Sequence, residues 1–437
     1  MSKSYAGQQT FSAVKNFPFS IHKARIELVY AISEIKRAAA VVHGRIGELD
    51  KDIAHAIVSS CDEVLRGKHD DQFVTPALQG GAGTSMNMNV NEVIANRATE
   101  ILRSSGNNLS VHPNDHVNRS QSTNDVNPTA LKLVCRTLGQ ELLRSIDAVV
   151  KEFYTLEKRY SKVPKLARTH LQDAIPITYG DEFSSYAAIF SRNGDRINHA
   201  LSYMNDLSLG GTAVGNGLNA SSAYRDAVYK ELRKRVDKHI HPATNFMAQT
   251  SSQTDFVMLS QAIVALTLDA SKIASDIRLL SSGPAGGIGE IKLTELQHGS
   301  SIMPGKVNPV IAETVNQTYF LVSGNNHSIE AAAHGAQLEL ANMFPILADR
   351  LIESMKLTSE VLTQFARQCL ATLTVNQKRA KEILEKTTAY STLLSPILGY
   401  DRVATLVKEA LNTGKTLREL VLEKHLLTDE QYNNIVT

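Results

Sequence analysis

The chain has 437 residues, of which 43% are hydrophobic and 21% are charged. A single hydrophobic core rarely grows past about 250 to 300 residues, so this length predicts two or three domains. Lysine and arginine number 46 against 44 for aspartate and glutamate, and a net charge of +2 gives no reason to expect nucleic acid or an anionic membrane as partner.

The cysteines and the apolar segments indicate where in the cell the protein is expected. Cys61, Cys135 and Cys369 are widely spaced and lack the CxxC spacing of a zinc site or a redox dithiol, which favours a reducing environment. The N-terminal stretch has no apolar segment of the signal-peptide type. The longest charge-free apolar region, Phe256 to Leu268, is shorter than the roughly 18 to 20 residues of a membrane span. We therefore expect a cytoplasmic protein.

Three long helices are predicted in chain order. Apolar residues recur at three-and-four spacing from Thr129 to Leu156, as on one face of an amphipathic helix. Asp181 to Met204 and Phe256 to Leu280 each run about 25 residues, beyond the usual mean of about 11 to 12. The last segment is apolar on more than one face, which predicts a place at the centre of a bundle or at a subunit interface. Alternating strand patterns are scarce, so the sequence predicts an all-α fold.

Glycine and proline gather in four breaks in the helical pattern, where loops are expected. The breaks are Gln79 to Ser85, Val111 to Pro128, Leu209 to Gly217, and Ser281 to Pro309. After about Thr374 the helical segments become shorter and more charged, which predicts a small C-terminal helical domain. The expected division is an N-terminal helical domain at 1–124, a central long-helix domain at 125–374, and the C-terminal domain at 375–437.

Four polar clusters could carry chemistry. Gly299 to Pro309, GSSIMPGKVNP, joins two hydroxyls to Lys306 and Asn308, a set of donors that suits a carboxylate. Ser122 to Asn124 precedes a long helix, Thr169 and His170 precede another, and Thr84 lies in a glycine-rich turn. Taken singly, each cluster is more simply explained as a cap or a surface turn. No nucleotide-binding or zinc-protease motif is present.

In combination and order, these clusters resemble the fumarase and aspartase superfamily, whose signature loop reads GSSxMPxKxNP. The resemblance runs from about Ala6 to Ile435. It implies a three-domain, all-α fold whose long central helices assemble into a homotetrameric core. It also implies active sites shared among three subunits and a small dicarboxylate substrate. We assign no cofactor and no metal-binding residue, and the sequence gives no sign of metal activation.

The resemblance further implies a role for each matching residue. Ser300 would be the base that removes a proton beside a carboxylate, which leaves a doubly charged aci-carboxylate. The residues that would hold this carboxylate are Thr84, Ser122, Thr123 and Ser301. The residues that would fix the second carboxylate are Thr169, Lys306 and Asn308. Asn124 and His170 would face the leaving group, with Glu313 as the acidic partner of the histidine.

The leaving group distinguishes the family's enzymes. VNPVIAETVNQ after the signature, together with QSTND, SSQTD and AHGAQLELANM, favours an aspartate ammonia-lyase, which releases fumarate and ammonia. A class II fumarase and a lyase for a substituted aspartate remain alternatives. A non-catalytic homologue is disfavoured because Ser300, Lys306 and His170 are all present.

Three departures from the family pattern stand out. Ala285 replaces an arginine near the mobile loop, and Asn127 replaces an aromatic residue, which is expected to alter the pocket wall beside Asn124. Gly7 to Thr10 matches the family's GxQT turn, so a leader of about 20 to 25 residues is expected to be missing.

Overall fold

The chain is built mainly of α-helices in the computed structural model, which describes residues 4–19 and 21–436. In chain order the helices are α1 (Gln8–Asn16), α2 (Ile26–Ile46), α3 (Lys51–Val64), α4 (Thr84–Ser104), α5 (Thr123–Tyr160), α6 (Tyr179–Ser202), α7 (Ser222–Arg233), α8 (Phe246–Ser251), α9 (Thr254–Leu280), α10 (Val310–His334), α11 (Phe344–Gln364), α12 (Gln377–Lys386), α13 (Ser391–Leu398), α14 (Tyr400–Thr413), α15 (Leu417–Glu423) and α16 (Asp429–Val436). The strands are β1 (Pro164–Thr169), β2 (Gln172–Thr178), β3 (Asp206–Leu207), β4 (His241–Pro242), β5 (Ile291–Lys292) and β6 (Thr374–Val375). The prediction of an all-α fold is confirmed.

Each of the three predicted long helices forms. α5 extends beyond the predicted apolar run at both ends, and its buried face carries Leu131, Leu142 and Ile146 at the expected spacing. Farther along α5, Phe153 stacks against aromatic rings of α6, with its centroid 5.9 Å from that of Phe190. Aromatic burial of this kind, rather than helix propensity, stabilises helices of such length.

α9 is apolar around most of its circumference, as predicted. Leu259, Ile263 and Leu266 are fully buried, whereas Met258 and Leu268 are 49% and 46% exposed on the single chain. Within the described part of the chain, α9 alone is long and apolar enough to cross a membrane by length and composition. Half of its most apolar window is buried inside the protein, as in the core helix of a globular fold.

The chain divides into two compact units. The first comprises Met1–Arg144, Asn193–Thr267 and Tyr319–Ser359, and the second comprises Ser145–Arg192, Leu268–Thr318 and Glu360–Thr437. Several boundaries fall inside long helices, so this division differs from the three consecutive segments expected, which stay a prediction. In the second unit, α12 to α16 share a core that includes Leu384, Leu394 and Leu420.

A β-hairpin in the second unit was not predicted. β1 pairs with β2 in antiparallel register, and Thr169 lies opposite Gln172. The two residues between them, His170 and Leu171, have φ of 55° and 61°, the pattern of a type I′ turn. The hairpin therefore presents Thr169 and His170 at an exposed tip. The whole of β2 separates this tip from the long helix α6 that was predicted to follow it.

Candidate active site

In the first unit, the predicted triplet Ser122 to Asn124 lies at the start of α5. The backbone N–H of Ser122 donates to Asp125 Oδ1 at 2.8 Å, and that of Asn124 donates to Ser122 Oγ at 3.2 Å. The N-terminus of a long helix has unpaired N–H groups and a positive dipole end, both of which favour an anion. The structure places these residues at the helix start, where their contacts are those of a cap, and their role in binding a carboxylate stays a prediction.

Asp125 ties this triplet to a second loop. Its side chain is fully buried, and Oδ2 accepts the backbone N–H groups of Gly210 at 3.0 Å and Thr212 at 2.9 Å. Burial raises the pKa of Asp125 to about 6, although these hydrogen bonds oppose the rise. The same glycine-rich loop receives Asn124, whose Nδ2 donates to the Ala213 carbonyl at 2.8 Å. The triplet is thus held by the Leu209 to Gly217 segment, which the sequence marked only as a loop.

Thr84 enters the site from a strained turn. Ala82 has φ of 56°, a left-handed conformation that is unusual for a residue with a side chain. Asn127 Nδ2 donates to the Ala82 carbonyl at 3.0 Å and so braces the turn from below. Thr84 and Asn124 line one cleft of about 370 Å³. Asn127 is 1% exposed, so it supports this cleft from beneath and does not form the wall that we expected it to alter.

In the second unit, the hairpin carrying Thr169 and His170 is anchored by ionic and hydrogen bonds. Arg168 Nη2 binds Glu290 Oε1 at 2.6 Å, and the Tyr179 hydroxyl donates to Glu290 Oε2 at 2.7 Å. Glu290 is fully buried, so the arginine and the tyrosine together compensate its charge. These contacts tie the base of the hairpin to Glu290, and the His170 tip, with its positive φ, projects from that base.

The signature loop is also in the second unit. The Ser300 hydroxyl oxygen accepts the backbone N–H groups of Ile302 at 3.2 Å and Met303 at 3.1 Å. Asn308 Nδ2 donates to the Gly299 carbonyl at 2.8 Å and closes the neck of the loop. A Cβ on Gly299 would lie 1.8 Å from the Lys306 carbonyl oxygen, so only glycine fits this neck. Ser301 and Lys306 are exposed on the loop.

Comparisons with known proteins bear on the family of the chain. A family model described as "Lyase" matches residues 2–324, and one described as "Fumarase C C-terminus" matches residues 391–437. An aspartate ammonia-lyase of Bacillus sp is 41% identical over 433 residues, which cover 99% of this chain and 92% of that protein.

The chain belongs to the fumarase and aspartase superfamily.

Other members of the superfamily are similar over nearly the whole chain. A class II fumarate hydratase of Bacillus subtilis is 37% identical over 431 residues, 98% of this chain and 93% of that protein. The crystal structure of a class II fumarase from Schistosoma mansoni superposes with a TM-score of 0.93 at 34% identity, covering 100% of this chain and 95% of that one. The prediction of a lyase is confirmed, and the carbon–nitrogen class matches the names of the aspartate ammonia-lyases among the relatives.

The predicted site residues are divided between the two units. Ser122, Thr123, Asn124 and Thr84 lie in the first unit, and the remaining predicted residues lie in the second. Glu313 is half-buried in the first turn of α10. Among the described residues, no hydrogen bond or ion pair joins Glu313 to His170, so their predicted pairing stays a prediction.

A buried polar layer beneath the Ser122 to Asn124 triplet was missed from the sequence. Lys36 is fully buried in α2, and its Nζ donates to Asn118 Oδ1 at 2.6 Å. Burial lowers the pKa of Lys36 to about 7. Asn87 in α4 donates to both Asn118 Oδ1 and Thr123 Oγ1. The signal available was the run NMNVN in α4, because asparagines interleaved with apolar residues on a buried helix face require buried partners.

Proposed function

We propose that this chain is an aspartate ammonia-lyase, which reversibly eliminates ammonia from L-aspartate to give fumarate. The observation that carries the chemistry is the environment of the Ser300 hydroxyl in the signature loop. The names of relatives at about 40% identity, and the sequence that follows the signature, support ammonia as the leaving group.

Ser300 would remove the proton from the carbon beside one carboxylate. A neutral hydroxyl is a poor base, so the oxygen must act as an alkoxide. The two N–H groups of Ile302 and Met303 that already point at Oγ would stabilise that negative charge. Both donors belong to the same short loop as Ser300, so they would move with the base when the loop closes over substrate.

Proton removal leaves an aci-carboxylate with two negative charges, and stabilising it is the main energetic task. Thr84, Ser122 and Thr123, together with Ser301, would supply the hydroxyl donors. Support comes from the start of α5, where the helix N-terminus adds a favourable dipole. Collapse of this intermediate breaks the carbon–nitrogen bond, and the electron pair of that bond leaves with nitrogen as ammonia.

Thr169, Lys306 and Asn308 would bind the second carboxylate. Asn308 Nδ2 carries two hydrogens, of which the Gly299 carbonyl takes one, so the other is available for substrate. Asn124 would face the leaving group. Its Nδ2 donates to the Ala213 carbonyl, which turns Oδ1 outward as an acceptor suited to the substrate ammonium. His170, paired with Glu313, would exchange protons with the departing group.

We further propose a homotetramer in which three subunits contribute to each site. Long helices expose apolar side chains on the single chain, and burial of these side chains would favour association. The exposed residues include Met258 and Leu268 on α9 at 49% and 46%, and Phe320 and Leu321 on α10 at 63% and 44%. Assembly would also supply partners for the Ser300 loop and for Glu313. The cytoplasmic location and the boundaries at 1–124, 125–374 and 375–437 belong to the same proposal.

Subunit complementation tests the shared site. Ser300→Ala and Thr123→Val should each be nearly inactive alone. If these residues come from different chains, mixed tetramers of the two variants should regain about one quarter of wild-type activity by random assortment. No recovery in verified mixed tetramers would contradict a site shared in this way.

A two-arm assay tests the reaction itself. Purified protein is incubated with fumarate plus ammonium, and separately with fumarate alone. Aspartate formed only in the first arm supports the ammonia-lyase, whereas malate formed in the second supports a class II fumarase. The fumarase remains the second candidate because a fumarate hydratase is 37% identical over nearly the whole chain.

Substitution of the base provides the complementary test. Ser300→Ala should lower turnover by about 10² to 10⁴-fold, the usual contribution of a general base, with the oligomer intact. Ser104→Ala, at an exposed helix end, is the matched control and should leave turnover unchanged. Equal activity in the two variants would remove Ser300 from the mechanism and favour a non-catalytic role for the loop. Activity restricted to a substituted aspartate would identify the third alternative.

A further inference from the structure

Asn87 lies directly beneath the Thr123 hydroxyl in the first unit. It is 1% exposed, and its Nδ2 donates to Thr123 Oγ1 at 3.2 Å and to Asn118 Oδ1 at 3.3 Å. We propose that Asn87 is a positioning residue that directs the Thr123 hydroxyl proton toward the substrate carboxylate. This inference rests on the proposed function, in which Thr123 holds that carboxylate.

The orientation of both amides follows from their chemistry. Asn118 Nδ2 donates to the Gln121 carbonyl at 3.2 Å, and a carbonyl can only accept. Asn118 must therefore present Oδ1 to its other neighbours, Lys36 and Asn87. An oxygen there requires donors, so Asn87 must present its NH₂ group to Asn118. The same NH₂ group reaches Thr123.

The donor from Asn87 determines what Thr123 does. A threonine hydroxyl has one hydrogen and two lone pairs, and here one lone pair is occupied. Among the described residues, the Thr123 hydroxyl donates to no protein acceptor. Thr123 is 9% exposed and precedes Asn124, which lines the 370 Å³ cleft. The hydroxyl proton is therefore available to an anion bound at the start of α5.

The oxygen of the Asn87 side chain is evidence that Asn87 has more than a structural role. Asn87 Oδ1 is buried and has no hydrogen-bond partner among the described residues. An unsatisfied buried acceptor destabilises the folded protein, and an apolar side chain of similar shape would avoid that penalty. What the amide offers in return is its NH₂ group, which an apolar side chain lacks.

A double-mutant cycle tests the inference. The variants are Asn87→Leu, Thr123→Val and the double variant, and the measurement is succinate binding by calorimetry, together with KM and kcat. Succinate is an unreactive four-carbon dicarboxylate, so its binding does not depend on the leaving group. Thr123→Val should weaken binding about 10- to 100-fold, as expected for a hydrogen bond to a charged group. Asn87→Leu should weaken it about 3- to 10-fold in the presence of the Thr123 hydroxyl, a part of the same effect.

Coupling decides the outcome. In the Thr123→Val background, Asn87→Leu should change succinate affinity by less than about twofold, because no hydroxyl remains to orient. Equal losses in both backgrounds would show that Asn87 acts only through the fold and would overturn the inference. No loss in either background would overturn it as well.

Two further variants guard against misfolding. Asn89→Leu is the matched control, since Asn89 is an equally buried amide of α4 that bonds the Gln72 carbonyl and the Val74 N–H. It should lower the melting temperature without changing succinate affinity. If Asn87→Leu does not fold, Asn87→Asp replaces it. The carboxylate of Asn87→Asp would accept the Thr123 hydroxyl proton and so withdraw it from the substrate. The loss of succinate affinity should therefore be larger when Thr123 is present than in the Thr123→Val background. Equal losses in the two backgrounds would overturn the inference.

The failure of this inference differs from the failure of the proposed function. A wild-type protein that neither binds succinate nor forms aspartate or malate would overturn both. A wild-type protein that binds and reacts, but shows no coupling between Asn87 and Thr123, would overturn only the inference.

Discussion

Lys36→Met removes a buried ammonium group at nearly constant side-chain volume. Lys36 is fully buried, and its Nζ hydrogen-bonds the neutral amide of Asn118. The charges that act on it are the buried carboxyl of Asp125 and the thiol of Cys61, and both oppose the effect of burial. Burial dominates and lowers the pKa of Lys36 from 10.5 to about 7.

The sign of the pH dependence follows from proton binding. Between pH 7 and 10.5 the unfolded chain keeps the Lys36 proton, whereas the folded chain has released it. Stability therefore rises with pH across this window, by at most about 1.4 kcal/mol per pH unit. Because the folded-state lysine is still half-protonated at pH 7, the gain between pH 7 and pH 9 amounts to about 2 kcal/mol.

The assay is the difference in unfolding free energy between wild type and Lys36→Met, measured by urea denaturation at pH 7, 8 and 9. At equal protein concentration, contributions from titrating groups that do not interact with Lys36 largely cancel in this difference. Relative to the variant, wild type should gain about 2 kcal/mol from pH 7 to pH 9. Lys51→Met, on the exposed surface, is the control, and its difference from wild type should stay constant. Parallel curves for wild type and Lys36→Met would refute the reasoning.

Three predictions concern the loop neck and the hairpin tip. Gly299→Ala would place Cβ 1.8 Å from the Lys306 carbonyl oxygen, so the neck must open. A displacement near 1 Å at a catalytic group lowers kcat/KM by about 10²-fold, and Gly286→Ala, with open space around its Cβ, should leave kcat/KM unchanged. His170→Asn should lower kcat by about 10² to 10⁴-fold with little change in melting temperature, since asparagine tolerates positive φ. Leu171→Gly should raise stability by about 1 kcal/mol in thermal melts by relieving left-handed strain, and a decrease would contradict the strained-turn interpretation.

The long helices were predictable because their signal is local. The apolar spacing between Thr129 and Leu156 appears in the structure as the buried face of α5. The β1–β2 hairpin was missed because its sequence carries no such local signal. Its turn is His170-Leu171 and not Asn-Gly, and its buried strand residue Lys165 is a charged side chain compensated by Glu182 at 2.6 Å. Neither feature has the alternating apolar pattern by which strands are recognised.

The candidate site residues were found by motif, but their supports were not. Ser300, Lys306 and Asn308 stand in a short signature whose order alone is distinctive. Asn87, Lys36 and Asp125 contribute through contacts with residues far away in the chain. Asp125 shows the difficulty well, because the donors to its side chain are the backbone N–H groups of Gly210 and Thr212, 85 and 87 residues away.

The amino-acid sequence alone determined the helical class and the positions of the long helices, and it predicted a carboxylate-binding signature loop. These follow from periodicity and from residue types at close spacing, which a linear chain displays directly. Only the tertiary structure decided that Thr169 and His170 cap a hairpin, that Asn127 braces the Ala82 turn, and that a buried polar layer orients the Thr123 hydroxyl. Such contacts depend on which distant segments meet in the folded chain. A buried polar group without a hydrogen-bond partner destabilises the fold, so each buried polar side chain in these contacts requires a particular partner.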